Sequence, residues 1–427
     1  MAGHSLFRSL IDMRGNVRAC VYTEPLWGIP HNLYQPYVSI YMLALGLTDS
    51  QIGLIISIAA GFQIVSGLMG GAITDKLGRK RTTLIFDLIS WSIPCLIWAV
   101  AQNFWYFLVA AAINSLWRVT HTSWSCLLVE DADPKILIDV YSWIYISGYL
   151  AAFFAPIAGI LVDQFTLVPT MRALYLLAFM MMTTKFFVMN AYVDETQQGK
   201  VRLQETRHQG IFSLLRGYRS VLLAILKTPQ TMTTLGMMVI MSITVMISTT
   251  FWSILVTQEI NVPEQYLSLF STVRSVILMI YFFVAIPRLR ALAFKFPMWA
   301  GIIGLIIGQL ILISMTGLSY PLLVIYVVID ACSVVTVSIF LDKMLVLTVD
   351  PQERARIMAL LYVLMICIAS PFGWIAGTLS EINRHLPFVL NIGLYSLGFL
   401  FIFLAARFTQ DTTPHGAAPT AEGQTPA

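Results

Sequence analysis

The chain has 427 residues, of which 58% are hydrophobic and only 11% are charged, and its formal net charge is +4. Ordinary soluble domains carry about 25% charged residues, so this composition excludes a soluble protein and indicates one that uses lipid as its solvent. The small net charge gives no indication of a nucleic-acid partner.

Apolar windows of about 20 residues, enough to cross a hydrocarbon layer of about 30 Å, recur along the chain. They predict about twelve membrane-spanning helices. The predicted spans are 19–45, 51–74, 82–101, 104–128, 136–161, 170–193, 231–257, 266–287, 297–317, 320–347, 356–380 and 386–407. The sequence contains no nucleotide-binding, hydrolase or metal-ligand pattern, and its polar loops are too short for an enzyme domain. We therefore expect no enzyme activity, no cofactor and no metal.

The first span carries a polar stripe. Glu24 and His31 fall at helical spacing on one face. A charged side chain inside a span costs roughly 2.5–3.5 kcal/mol at mid-helix, so both residues are candidates for binding a substrate or a proton. Pro25, Pro30 and Pro36 interrupt the same span, and prolines permit kinks. We expect this helix to bend during gating.

A charged, glycine-containing loop separates the second and third spans. Residues 71–81 read GAITDKLGRKR, and its four cations place the loop in the cytoplasm, because Lys and Arg are retained on that side. Most other loop cations fall on the same side, and an even number of spans puts both termini there. We expect a plasma-membrane protein with both termini in the cytoplasm.

This loop is also a candidate gate. Gly71 permits close approach by another helix, and Gly78 permits a tight turn. Asp75 can cap a helix or pair with a cation across an interface between the two halves. Asp87 and Asp139 are candidate partners for the basic residues. Such a cluster would hold the cytoplasmic side shut when the protein is open to the outside.

The fourth and tenth spans carry further candidates. Arg118 lies at a depth compatible with a direct or water-bridged pair with Glu24. The pair can couple transport to protons, contact substrate or simply fix helix packing. His121 is either a hydrogen-bonded structural residue or a proton relay. Asp330 can bind a cationic group or a proton, or serve as a partner for a helix such as the one carrying Lys185 or Arg274.

The chain divides into two similar halves. A short acidic motif after the fourth span, at 130–135, is echoed after the tenth span, at 349–354. We expect a first six-helix bundle at 1–193, a linker with an interfacial amphipathic helix at 194–230, a second bundle at 231–408 and a disordered tail at 409–427.

The loop and the repeat resemble the major facilitator superfamily, in particular its drug/proton antiporters. Every fixed position of the family pattern G-x-x-x-D-(R/K)-x-G-(R/K)-(R/K) is filled. The matching residues, which the resemblance makes the gating motif, are Gly71, Asp75, Lys76, Gly78, Arg79 and Lys80. Arg118 is similar to the family's R-x-x-Q-G arginine, although His121 and Thr122 replace the glutamine and glycine. The resemblance implies an all-α membrane protein of twelve helices in two pseudo-repeated six-helix bundles, with substrate near the midplane.

The function implied is secondary transport by alternating access. We expect proton-coupled export of a small amphiphilic or cationic compound, with the lipid bilayer, the substrate and protons as partners and no nucleic acid. The candidate residues for substrate and coupling are Glu24, His31, Arg118, His121 and Asp330. Two alternatives stay open: proton-coupled uptake of a polar nutrient, and a non-transporting receptor or assembly factor built on a transporter scaffold.

Overall fold

The computed structural model describes residues 3–133, 136–207, 228–284, 288, 295–348 and 354–410. The predicted amphipathic helix of the linker, at 211–227, lies outside the described residues, as does most of the predicted tail.

The first half, up to residue 205, is built from thirteen described helices. They are α1 Gly3–Asp12, α2 Gly15–Thr23, α3 Pro25–Tyr34, α4 Val38–Ala44, α5 Asp49–Leu77, α6 Arg79–Asp87, α7 Ile93–Ala99, α8 Phe104–Asn114, α9 Trp117–Val129, α10 Leu137–Ala152, α11 Ala155–Phe165, α12 Leu167–Tyr192 and α13 Gln197–Glu205. Among them, α13 belongs to the linker, and the rest form the first bundle with its short N-terminal helix.

The second half begins at residue 229. Its described helices are α14 Pro229–Gln258, α15 Leu267–Val284, α16 Lys295–Ile313, α17 Tyr320–Thr348, α18 Arg354–Ala369, α19 Pro371–Ile382 and α20 Leu386–Gln410. Within the described residues, nine helical segments are long and apolar enough to cross a membrane. The remaining predicted spans, near 19–45, 104–128 and 266–287, are also helical where described. The all-α membrane fold is confirmed, and the architecture is consistent with twelve spans.

Prolines break several spans into shorter helices. The first span is divided into α2, α3, a 3-10 turn at Gln35–Tyr37 and α4. Pro25 begins α3, because a proline at the first helical position loses no hydrogen bond. Pro36 lies in the 3-10 turn. The predicted interruption of this span is confirmed, and its bending during gating stays a prediction.

The two ends of helix α5 define the two sides of the molecule. Thr48 begins the helix with a capping box: its hydroxyl accepts from the Gln51 amide, and the Gln51 side chain accepts from the Thr48 amide. Gly78 ends the helix with φ +86°, in the left-handed region that glycine favours. We call the end that carries residues 71–81 the motif side and the opposite end the far side.

The two bundles meet tightly on the far side, along α5 and α19. A Cβ added to Gly53 would lie 2.2 Å from the carbonyl oxygen of Gly373, so these helices touch backbone to backbone, as small residues allow in membranes. Polar contacts flank this point: Asp49 accepts from the Ser380 hydroxyl at 2.6 Å, and Ser57 accepts from the Trp374 amide at 2.7 Å. We call this contact the far-side seam.

Candidate functional site

A cavity of about 800 Å³ lies between the two bundles. Helices α4, α5 and α9 supply one wall, and α14, α17 and α18 supply the other. Much of the lining is thioether and aromatic, including Met42, Trp98, Met238, Met241, Met246 and Met365. Flexible methionines adapt to differently shaped apolar ligands, so this central cavity suits an amphiphilic molecule.

The central cavity carries a charge of each sign on facing walls. Arg118 lines it from α9, and Asp342 lines it from α17. Arg118 donates from Nε to Oε1 of Gln63 at 3.2 Å, and its guanidinium lies 4.2 Å from the ring centroid of Trp117. The cavity can therefore receive an anionic group at Arg118 and a cationic group at Asp342.

A second pocket of about 270 Å³ lies inside the first bundle. We call it the tryptophan pocket, because four indole rings line it together with ionisable side chains. Its lining includes Trp27, Trp91, Trp117, Trp124, Glu24, Asp87, His121 and Lys185. Glu24 and His121, which sequence analysis singled out on different spans, thus share one pocket.

Glu24 pairs with Lys185 in this pocket, not with Arg118. Lys185 Nζ lies 2.8 Å from Glu24 Oε2, and it sits over the rings of Trp27 and Trp124 at 5.9 and 6.0 Å. The predicted pair of Glu24 with Arg118 is wrong. Trp117 lines both cavities and separates the two charges, so Arg118 reaches the central cavity while Glu24 turns inward toward α12.

Asp87 also lies in the tryptophan pocket. It accepts a hydrogen bond from the Thr120 hydroxyl at 2.7 Å and is 7% exposed. The prediction that it pairs with the basic loop is wrong, because eight residues along α6 carry it about 12 Å from Arg79. A π-helical turn at Leu88–Ser92 follows Asp87, and such turns are frequent at functional sites.

The other two predicted site residues lie elsewhere. His31 stacks on Trp27 with ring centroids 4.6 Å apart and contacts Tyr34 edge-on at 5.4 Å. Asp330 is 2% exposed and forms an ion pair with Arg274 inside the second bundle. Asp330 therefore takes the role of a partner for a neighbouring helix, one of the two alternatives left open for it.

At the motif side, the linker caps helix α6. The Glu195 carboxylate accepts from the backbone amides of Arg79 at 2.9 Å and Lys80 at 3.1 Å. These amides have no partner within the helix, and the helix dipole favours an anion there. A Cβ on Gly78 would lie 2.5 Å from Glu195 Oε2, so glycine provides both the predicted turn and the room for this carboxylate.

Ion pairs bind the loop to the linker and to α9. Arg79, only 4% exposed, pairs with Asp75 at 3.0 Å and Glu130 at 3.1 Å. Arg202 of the linker pairs with Asp75 at 3.1 Å, and the Thr196 hydroxyl donates to Glu130. We call residues 194–206 the linker strap.

These contacts shift the pKa values of Glu130 and Arg202, which lie outside the membrane-spanning helices. Burial alone would raise the pKa of Glu130, but the hydrogen bonds from Arg79 and Thr196 and the charge of Arg79 outweigh it, so that pKa lies below its usual range. The hydrogen bond to Glu205 and the charge of Asp75 raise the pKa of Arg202. Glu130 and Arg202 therefore both carry their charges at neutral pH.

The loop at 71–81 makes different contacts from those that the sequence predicted for a gate. In the part of the chain that the structure describes, Asp75 pairs with Arg79 and with Arg202 of the linker strap, and not across the interface between the bundles. Among the described residues, nothing lies within 4 Å of a Cβ added to Gly71, so none of them makes the close helix approach expected there. Lys76 lies in the last turn of α5. Asp139 lies in the first turn of α10.

A model of the Major Facilitator Superfamily matches residues 28–373. The chain belongs to the Major Facilitator Superfamily. Membership confirms the resemblance drawn from the loop, and it points to a membrane transporter rather than an enzyme.

Curated relatives match shorter stretches. The uncharacterized MFS-type transporter YqjV of Bacillus subtilis is 30% identical over 127 residues, covering 29% of this chain and 31% of the relative. The multidrug resistance protein MdtG of Serratia proteamaculans is 26% identical over 204 residues, covering 46% and 48%. The quinolone resistance protein NorA of Staphylococcus aureus is 33% identical over 81 residues, covering 19% and 21%. The chain thus spans less than half the length of each of these relatives.

Solved structures share the fold. The nucleoside transporter NupG superposes with a TM-score of 0.68 at 16% identity, covering 92% of this chain and 98% of that one. A bacterial homologue of the human lysosomal transporter Spinster superposes with a TM-score of 0.67 at 13% identity, covering 94% and 98%. At 13–16% sequence identity, these superpositions establish that the chain has the same fold as the two transporters.

Sequence reasoning missed three residues that shape the two cavities. Trp117 forms the wall between them, Gln63 holds Arg118, and Asp342 faces Arg118 from the second bundle. Gln63 and Asp342 are polar residues inside otherwise apolar spans, a signal that is visible in the sequence. Trp117 carries no such signal, because nothing in the sequence distinguishes it from the other aromatic residues of the chain.

Proposed function

We propose that this superfamily member is a proton-coupled exporter of small amphiphilic compounds, with the central cavity as its cargo site. The observation that carries this proposal is the composition of that cavity: a methionine- and tryptophan-rich surface between the bundles, with Arg118 and Asp342 on facing walls. Amphiphiles need an apolar surface and at least one charged partner, and this cavity offers partners of both signs.

Alternating access gives the cavity its two exits. In the present conformation the far-side seam joins α5 to α19 through Gly53, Gly373 and flanking polar contacts. Rocking of one bundle against the other would break the seam and release cargo on the far side. We propose that this is a plasma-membrane protein whose motif side faces the cytoplasm, because the loop cations are concentrated on that side.

Export and proton coupling rest on two further supports. Partial relatives are named as multidrug resistance and quinolone resistance proteins, which favours outward movement of amphiphiles. Membrane-embedded carboxylates and a histidine, Glu24 and His121 among them, line a pocket that shares the wall residue Trp117 with the cavity. Embedded acids of this kind are the usual carriers of coupling protons.

The test is a flux screen on the purified full-length protein in sealed vesicles. A panel of amphiphilic cations, anions and zwitterions is offered with the vesicle interior either acid or alkaline. If the protein exchanges its substrate for protons, at least one class of amphiphile should accumulate in the vesicles when their interior is acid. No class should accumulate when the gradient is reversed. Accumulation only with an alkaline interior would indicate proton-coupled uptake, and no gradient-dependent movement of any probe would refute the proposal.

A matched pair of variants locates the cargo. Arg118→Ala removes the cavity's cation, and a hydrogen bond to a charged group contributes about 1.5–3 kcal/mol, so the apparent affinity for a transported anion or zwitterion should fall about tenfold or more. Ile138→Ala, at a position 80% exposed on the outer surface, should leave flux unchanged. Equal affinities in the two variants would place the cargo outside this cavity.

A further inference from the structure

Three ionisable side chains converge in the tryptophan pocket from three separate spans. Glu24 comes from the junction of α2 and α3, Asp87 from the end of α6 and Lys185 from α12. The Glu24 and Lys185 side chains are 14% and 7% exposed, and Asp87 is 7% exposed. Burying three such groups inside a membrane bundle is costly, so their convergence calls for a functional explanation.

The charges of the three groups do not cancel when all are ionised. Two carboxylates and one ammonium carry a net charge of −1 in a pocket walled by indole rings. Lys185 is committed to Glu24 at 2.8 Å, while Asp87 has the Thr120 hydroxyl as its hydrogen-bond donor. The cluster becomes neutral by holding one additional proton.

Two further titratable side chains lie beside the cluster. His121 lines the same pocket from α9, and Cys20 of α2 lies close enough to interact electrostatically with all three groups. Lys185 and Glu24 both act electrostatically on Asp87. Arg118 lies beyond Trp117, over whose ring it stacks, and it lines the central cavity.

We propose that Glu24, Asp87 and Lys185 form a single proton-binding site, in which the two carboxylates share one proton and Lys185 is the counter-ion of whichever carboxylate is ionised. This inference rests on the proposed function, because it supplies the coupling site for proton-driven transport. In the present conformation Glu24 is the ionised partner and the proton resides on Asp87.

Release of the proton breaks one bond, the O–H of the Asp87 carboxyl. The proton passes to water or to the imidazole of His121 at the pocket wall, and Lys185 is left between two carboxylates. No oxidant, reductant or covalent intermediate is involved. Rebinding of a proton from the other side of the membrane restores the neutral cluster.

Trp117 gives this site a physical connection to the cargo. Its ring lines both cavities and carries the Arg118 guanidinium at 4.2 Å. A ligand that binds Arg118 therefore presses on the wall of the proton site. Movement of that wall changes the access of water to Asp87. Proton release from Asp87 would in this way depend on whether a ligand is bound at Arg118.

Infrared spectroscopy of the full-length protein in lipid nanodiscs tests the site without any substrate, because a protonated carboxyl and a carboxylate absorb at different frequencies. At neutral pH the wild type should show the band of one protonated carboxyl that is missing from Asp87→Asn. The same band should be missing from Glu24→Gln, because Lys185 is then free to neutralise Asp87. In Lys185→Gln the band should double, because both carboxylates then take a proton.

Asp12→Asn is the matched control, since the Asp12 side chain is 70% exposed near the N-terminus; its spectrum should equal that of the wild type. Size-exclusion chromatography and thermal melting establish that each variant is folded. A band that persists in Glu24→Gln would mean that the proton is not shared, and this would overturn the proposal, as would an unchanged band in Lys185→Gln.

A coupling proton must also leave and return. The wild-type band should therefore disappear reversibly as the pH is raised, and a band that survives to the most alkaline pH the folded protein tolerates would refute a coupling role. Because no cargo is present, these results are independent of the flux screen. A failed screen with the expected infrared pattern would reject the cargo class while keeping the proton site.

Discussion

Replacing Gly53 with alanine tests the far-side seam. The added Cβ would lie 2.2 Å from the carbonyl oxygen of Gly373 and 2.9 Å from Cα of Gly377. Close carbon–oxygen contacts between helices settle near 3.3–3.6 Å, so α5 and α19 must separate by about 1 Å. Both obstacles are backbone atoms, which cannot rotate away.

Overpacking of this kind costs about 1–3 kcal/mol, and the cost falls only on the conformation in which the seam is closed. The equilibrium should therefore shift about 5- to 150-fold toward the conformation that is open on the far side. Gly61→Ala is the matched control: it lies on the same helix, it changes helix propensity equally, and no atom of the described residues lies within 4 Å of its added Cβ.

The assay is thiol labelling. A cysteine placed at Ser39, a cavity-lining residue that is 6% exposed, is introduced into a variant without the native cysteines. A membrane-impermeant maleimide is then applied to the far side. Labelling should accelerate in Gly53→Ala and stay at the wild-type rate in Gly61→Ala. Equal rates in the two variants would refute the reasoning that backbone contact holds this side closed.

Two predictions concern the motif side. Gly199→Ala would put a Cβ 2.0 Å from Glu195 Oε1, so the linker strap should lose its cap on α6, worth about 1 kcal/mol, and protease cleavage within residues 194–206 should speed up. Gly71→Ala is the control, because no described atom lies within 4 Å of its added Cβ, and it should be cleaved like the wild type. Equal cleavage of the two variants would contradict the capping role. The pKa of Glu130 is lowered from 4.5 in the folded protein, so its contribution to stability is complete above that value and is lost as the pH falls through the lower folded pKa. Thermal unfolding midpoints between about pH 3 and 6 should therefore fall at the acid end in the wild type, and Glu130→Gln should flatten that dependence; an unchanged profile would show that this ion pair contributes nothing.

Which residues pair in the first bundle was only partly predictable. The sequence indicates that Glu24 and Lys185 are embedded charges, because each interrupts an apolar window. They lie 161 residues apart and yet form the ion pair, whereas the partner predicted for Glu24, Arg118, has a compatible depth but faces another cavity. Each residue turns a helix by about 100°, so a small rotation of one helix exchanges one neighbour for another.

The sequence by itself determined the solvent, the helical class, the superfamily and the turn at Gly78, because these depend on composition, on hydrophobic periodicity and on local backbone geometry. Only the tertiary structure decided that Asp75 and Arg79 bind the linker strap and α9, and that Trp117 separates the central cavity from a buried charge cluster. Those relations depend on how twelve predicted helices are rotated and packed against one another, and residues distant in the chain meet only after that packing is complete.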